Sequence, residues 1–75
     1  METVYIETTV VGNIAGRMHP EQRIAAKQAA TREWWETAQA RYRIFASVMV
    51  VSECGDGDSA AATERLRVLD GVGVP

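Results

Sequence analysis

The apolar positions change period several times along the chain, and each change marks an element. Val4, Tyr5 and Ile6 form a β-branched and aromatic run after Thr3, which predicts a short buried strand over Thr3–Ile6. Glu7 ends it. Thr8 and Thr9 follow, and a hydroxyl from either can cap a helix. Val10, Val11, Ile14 and Ala15 then recur at helical spacing up to Gly16, a stop signal. This short helix is weakened by Gly12, since an interior glycine costs about 1 kcal/mol relative to alanine. Arg17–His19 reads as a loop. Pro20 suits the first turn of a helix, where its missing N–H costs little. From Glu21 to about Tyr42 there is neither Gly nor Pro, and the residues are good helix formers. Ile24, Gln28, Thr31, Trp35, Ala38 and Tyr42 share one face of this long helix. Trp34 widens that face, so both tryptophans are expected to anchor the core rather than stack on bases.

The next stretch has two readings. Ile44, Phe45, Ala46, Val48, Met49, Val50 and Val51 form one apolar run interrupted only by Ser47. Period alone does not separate one buried strand from a strand that turns into a helix. The valines favour strand. Ser47 favours a break, as the N-cap of a helix over Ser47–Cys54 after a strand over Arg43–Ala46. Only the break brings Glu53 round to the strand ends. Gly55-Asp56-Gly57-Asp58 is a turn. Asp58 caps a helix over Ser59–Asp70 with Ala62, Leu66 and Leu69 on its apolar face, and Gly71 ends it. Val72–Pro75 reads as the start of another strand.

Strand, helix, helix, strand and helix in that order open an α/β domain with a parallel sheet flanked by helices. Composition narrows the classes further. Seventy-five residues allow one domain at most, and a chain of this size buries only about 60% of the surface its unfolded form exposes. The net charge of −2 excludes a protein that holds duplex nucleic acid by charge alone. It leaves open nuclease chemistry, in which acids hold metal ions and the metals face phosphates. A single cysteine, Cys54, excludes an internal disulfide. The uncharged stretches Thr8–Gly16 and Ile44–Ser52 are far shorter than the ~18 apolar residues of a membrane span, so no membrane partner is expected. Glu2 and the lack of a basic region distinguish the N-terminus from a signal peptide, and the expected compartment is the cytoplasm.

In α/β folds ligands sit beyond the carboxyl ends of the parallel strands. Glu7 follows the first strand, and Glu53 comes a few residues after the second. Two carboxylates converging there suit Mg²⁺, a hard cation that takes one or two carboxylates with waters and phosphate oxygens. The alternative is that each glutamate is merely solvated or caps backbone. Other motifs fail. Asp56-Gly57-Asp58 begins like a calcium loop, but Ser59, Ala60 and Ala61 follow and the required glycine and terminal glutamate are missing. Gly12 and Gly16 make no phosphate loop. His19 and Cys54 are the only His and Cys, so a zinc site lacks ligands, and nothing in the sequence orients them as a nucleophile pair. The arginines are scattered among acids and read as solvated faces.

At Val4-Tyr5-Ile6-Glu7-Thr8-Thr9 the chain resembles the start of PIN-domain proteins, particularly a bacterial subgroup close to VapC toxins. These open with an apolar strand, an acid, and hydroxyl or Asn residues. The likeness continues through Thr31-Arg32-Glu33-Trp34-Trp35-Glu36. It resumes at Phe45-Ala46-Ser47-Val48-Met49-Val50-Val51-Ser52-Glu53, where the family has a strand, a Ser cap and a helix carrying its second acid. It ends at Gly57-Asp58-Ser59-Ala60-Ala61-Ala62-Thr63-Glu64-Arg65-Leu66, similar to the subgroup's third large helix. Gly12 and Val48 depart from the family pattern, which has a side chain and a second glutamate there.

The resemblance implies a PIN-like parallel sheet flanked by helices, with residues 1–75 as the N-terminal part of a single, apparently truncated domain. It implies metal-dependent cleavage of RNA by a toxin that pairs with a cognate antitoxin protein and with a second copy of itself. Glu7 and Glu53 are then the first two metal acids, binding Mg²⁺ or Mn²⁺, with Thr8 and Thr9 as supporting hydroxyls. The remaining acids belong to the family's C-terminal half, so these residues alone are expected to be inactive, and partly molten or self-associating through an open sheet edge. The alternative function is a non-catalytic remnant that binds an antitoxin or another PIN subunit.

Overall fold

A computed structural model describes all 75 residues. The chain is an α/β fold with elements in the order β1 (Glu2–Tyr5), α1 (Thr8–Ile14), α2 (Gln22–Arg41), β2 (Tyr42–Phe45), α3 (Val48–Cys54) and α4 (Ser59–Val68). The two strands pair in parallel, from Glu2 opposite Tyr42 to Tyr5 opposite Phe45. One further bond, from Ile6 N–H to the Phe45 carbonyl at 2.9 Å, carries the pairing past the last strand residue. Both strands therefore leave the sheet at the same level. Two-residue connections, Ile6-Glu7 and Ala46-Ser47, then lead into α1 and α3.

The core sits at this junction. Ile6, Val11, Ala46 and Cys54 are buried together, with Val4, Val10, Ile44, Val50, Trp35, Val68, Leu69 and Val72 packed round them. It is small, since only seven residues of the chain are buried. Each fully buried side chain of valine size contributes about 1.5–3 kcal/mol, so the few present matter. α1 packs against α2, α3 and α4 and is the hub of the helical layer.

The apolar run Ile44–Val51 does break. Phe45 ends β2, and the Ser47 hydroxyl accepts from Val50 N–H at 3.1 Å as the N-cap of α3. This local bond satisfies a helical donor and outweighs the strand propensity of the valines. Asp58 caps α4 in the same way, its carboxylate accepting from Ala61 N–H at 2.9 Å. Gly71, with φ of +85°, turns the chain after α4. Gly73 then begins a third line of pairing on the other side of β2. Its N–H donates to Ile44 O and its carbonyl accepts from Ala46 N–H, both at 2.9 Å. The outer edge of β1 has no strand beside it.

Three expectations change. α1 starts at Thr8 with Glu7 in the N-cap position, so neither threonine is the cap. Trp35 packs against the core, but Trp34 is 36% exposed and lies in an apolar groove with Val10, Ala30 and Thr31. Adjacent residues on a helix differ by a hundred degrees, and the thin core reaches only one of them. Arg32 and Arg65 are not simply solvated. Arg32 donates to the carbonyls of Asn13, Ala15 and Gly16 at 3.1, 3.4 and 2.8 Å, closing the C-terminal end of α1. Arg65 donates to Cys54 O at 2.9 Å and to Asp56 O, tying the end of α3 to α4.

Two substitutions test this architecture. Ser47→Ala is expected to cost about 1 kcal/mol, read as a lower urea midpoint at unchanged slope. A Cβ on Gly73 would fall 2.6 Å from two atoms of the Phe45 ring. Gly73→Ala should therefore remove hydrogen-exchange protection at the Ala46 amide while leaving the Ile6 amide protected, since Ile6 bonds within the β1–β2 pair.

Candidate functional site

The level register decides where the glutamates go. Glu7 is the last residue before α1 and keeps extended backbone, with φ −102° and ψ 167°. It occupies the N-cap position, yet its carboxylate makes no cap hydrogen bond and enters no ion pair. Its counterpart Ser47 uses its side chain as a cap, which leaves the rest of α3 free to turn. Val50 and Glu53 are three residues apart on α3 and so share a face. That face meets the start of α1. Glu7, Thr8, Thr9, Val50 and Glu53 together line an open cavity of about 330 Å³.

One bond crosses the cavity. The Thr8 hydroxyl donates to Glu53 Oε1 at 2.7 Å, linking residues 45 apart in sequence. It fixes one carboxylate oxygen of Glu53 and leaves the other free. The only ion pair in the chain, Arg67 with Glu64, lies elsewhere on α4. No basic side chain lines the cavity. Two carboxylates thus face one space with no protein cation to neutralise them, and neither caps backbone. Four residues expected from the sequence, Glu7, Glu53, Thr8 and Thr9, are all at this place. Val50, which walls one side, was missed; its spacing of three from Glu53 was the available signal.

The donor set consists of hard oxygens. It fits a hydrated Mg²⁺ or Mn²⁺, which accepts one or two carboxylates and completes its shell with water. It lacks the sulfur and imidazole that zinc and copper sites favour. No third His, Cys, Asp or Glu joins the pair, here or anywhere else in the chain.

His19 and Cys54 do not meet chemically. His19 Nδ1 accepts from Glu21 N–H at 2.9 Å, and the backbone N–H of His19 donates to Gln28 Oε1 at 2.8 Å. Gln28, the one buried polar side chain, also donates to Arg17 O at 3.1 Å and so holds the loop onto α2. Cys54 is fully buried in the core. Burial pushes its thiol above the ordinary 9.0, with the Arg65 guanidinium opposing and Glu53 adding to the rise. A nucleophilic thiolate is therefore disfavoured.

No family model, no curated protein and no solved structure matches the chain.

The Cys54 environment has a pH consequence. A thiol with a raised folded pKa holds its proton more tightly in the native state. Its contribution to stability is intact below about pH 9 and is lost as pH rises through the folded value. Ellman's reagent should leave native protein unmodified at neutral pH and react fully once urea unfolds it. Fast reaction of the native chain would contradict the burial.

Proposed function

We propose that these residues form the first metal-acid corner of a PIN-like endoribonuclease of the VapC toxin type, acting on RNA phosphodiester bonds. The observation that carries the reading is the pair of unneutralised glutamates sharing one cavity beyond the carboxyl ends of two parallel strands. The order of motifs from Val4 to Leu66 adds to it.

The chain's own residues have distinct parts. Glu7 and Glu53 supply the anionic oxygens that hold Mg²⁺ or Mn²⁺. Thr8 is a positioning residue, orienting Glu53 through its hydroxyl. Thr9 offers a second hydroxyl at the cavity wall, and Val50 limits water on the α3 side. Two adjacent carboxylates repel a phosphodiester, so the cavity accepts RNA only when a divalent cation is present. That cation, when bound, acidifies water and offsets charge on the phosphate. Two carboxylates hold it loosely, and cleavage needs further acids supplied by another polypeptide segment. In the cell a cognate antitoxin protein would keep such an activity in check.

A second reading is a non-catalytic protein-binding module. The absence of a third acid and the open outer edge of β1 favour it.

Paramagnetic broadening by Mn²⁺ separates the two. The nuclease reading expects amides around Glu7, Thr8 and Glu53 to broaden first, with the effect abolished in the Glu7→Gln, Glu53→Gln double variant. Thr8→Ser should keep the effect and Thr8→Val weaken it. Broadening that ignores the double variant overturns the metal-acid assignment and leaves the binding module. Single-stranded RNA should stay intact with the 75-residue chain alone in Mg²⁺. Cleavage that EDTA stops would show that two glutamates suffice.

A further inference from the structure

The groove that holds Trp34 has a volume of about 360 Å³ and lies between α1 and α2, with Val10, Ala30 and Thr31 as its other walls. It adjoins the glutamate cavity: Thr9 lines the one, and Val10, the next residue of α1, lines the other. Trp35, packed on the core, braces Trp34, with ring centroids 6.1 Å apart and planes tilted by 43°. A large aromatic side chain is thus supported by the core and still meets solvent. The charge beside it has one sign. Lys27 lies four residues after Arg23 and seven before Trp34, which puts all three on one face of α2. Both cations are exposed, and neither enters the only ion pair of the chain. The acids of this helix, Glu33 and Glu36, are rotated from Trp34 by about one hundred and two hundred degrees and so lie off that face. In a chain of net charge −2, residues 17–32 hold Arg17, Arg23, Lys27 and Arg32 against one acid, Glu21, so this end attracts anions.

We propose that the Trp34 groove is a base-stacking subsite for single-stranded RNA, with Arg23 and Lys27 holding the phosphates beside it. The occupant follows from three features that adjoin. An accessible aromatic ring stacks any nucleobase, since every base has a π-face. Unpaired cations on the same helix face attract the backbone. The neighbouring cavity holds the glutamates at which a metal would meet a phosphodiester. A nucleotide presents a planar apolar face and an anion in one unit. An acidic peptide matches the cations but not the flat ring. The strand would run from the groove across the first turn of α1 into the glutamate cavity. A base seated on Trp34 then fixes which phosphodiester meets Glu7 and Glu53. Such a subsite selects single strands, because the bases of a duplex are already stacked on one another. The choice of RNA rests on the nuclease reading, whereas stacking on Trp34 needs no metal.

Titration of the full chain with oligouridylate at low salt tests it, read by tryptophan fluorescence and by anisotropy of a labelled oligonucleotide. The Glu7→Gln, Glu53→Gln variant is used, with and without Mg²⁺, so that the titration reads the groove and not the metal. Saturable binding that quenches tryptophan emission is expected in both conditions. Trp34→Leu keeps an apolar side chain without an aromatic face and should weaken binding roughly ten- to a hundredfold. Trp34→Phe should retain most of the affinity. Arg23→Gln and Lys27→Gln should each lower the slope of log affinity against log salt by about 0.7. These two exposed positions keep the test open if far-UV circular dichroism shows that Trp34→Leu unfolds the chain. Manganese broadening around Glu7 and Glu53 should survive Trp34→Leu, so failure of the subsite and failure of the metal-acid reading are separately visible. Four results would each overturn the subsite: no binding of oligouridylate, binding indifferent to Trp34→Leu, equal loss in Trp34→Phe and Trp34→Leu, or salt slopes unchanged by both cation variants. Polyglutamate that quenches as strongly as the oligonucleotide would also overturn it, in favour of an acidic protein partner.

Discussion

Everything at the candidate site depends on the parallel register of β1 and β2. Tyr5 stands opposite Phe45, so Ile6 and Ala46 leave the sheet side by side and are buried together. A slip of one residue would put one strand's inward side chains on the wrong face. It would also separate the starts of α1 and α3. The register is therefore both a packing constraint and the condition that brings Glu7 and Glu53 to one cavity. The buried cluster of Ile6, Val11, Ala46 and Cys54 is continuous with the cavity through Val50, which packs on the one and lines the other.

Local signals in the sequence foretold most of this arrangement. Ser47 and Asp58 carry side chains that bond the third residue onward, and both do. Gly71 turns where a left-handed conformation is needed, and Gly73 permits contact with the Phe45 ring. These effects act over a few residues, or through a chemical type with few alternatives. The positions of Glu7 and Glu53 followed from strand–helix order alone. What stayed hidden acts over longer distances. Nothing near Arg32 in sequence shows that it closes the end of α1 nineteen residues back at Asn13. By local pattern Thr8 reads as a helix cap, and only the resemblance gave it a supporting place beside the acids; its hydroxyl reaches Glu53. The burial of Gln28 depends on where the Arg17–His19 loop falls, which no periodicity encodes. Trp34 and Trp35 look equivalent in sequence, and only the size of the core distinguishes them.

The two helices that flank the cavity are each seven residues long, too short to be stable by propensity. Core packing of Val11 and Cys54 supports them, and arginines from longer helices bond the carbonyls at their ends. Arg32 of α2 bonds the Asn13 carbonyl in the last turn of α1 and those of Ala15 and Gly16 just beyond it, and Arg65 of α4 bonds the last carbonyl of α3, that of Cys54. Each adds to the backbone closure already made there by Ala15 N–H to Val11 O and by Gly55 N–H to Val51 O. Two of the cations thus bond backbone at the ends of α1 and α3, and none bonds the carboxylates in the cavity.

That distribution of charge bears on what the cavity can be. A glutamate pair kept only for folding would gain from a nearby lysine or arginine, and the protein has arginines within reach of both helices. They bond to carbonyls instead. Glu7 occupies a position where Ser, Thr, Asp or Asn would cap α1 and add about 1 kcal/mol. It contributes no such bond. Thr8, the next residue, turns its hydroxyl away from the backbone and towards Glu53. Each choice forgoes some local stability and leaves negative oxygen facing open space. In a chain with so thin a core, that open pair of carboxylates is the feature on which the metal-acid proposal rests.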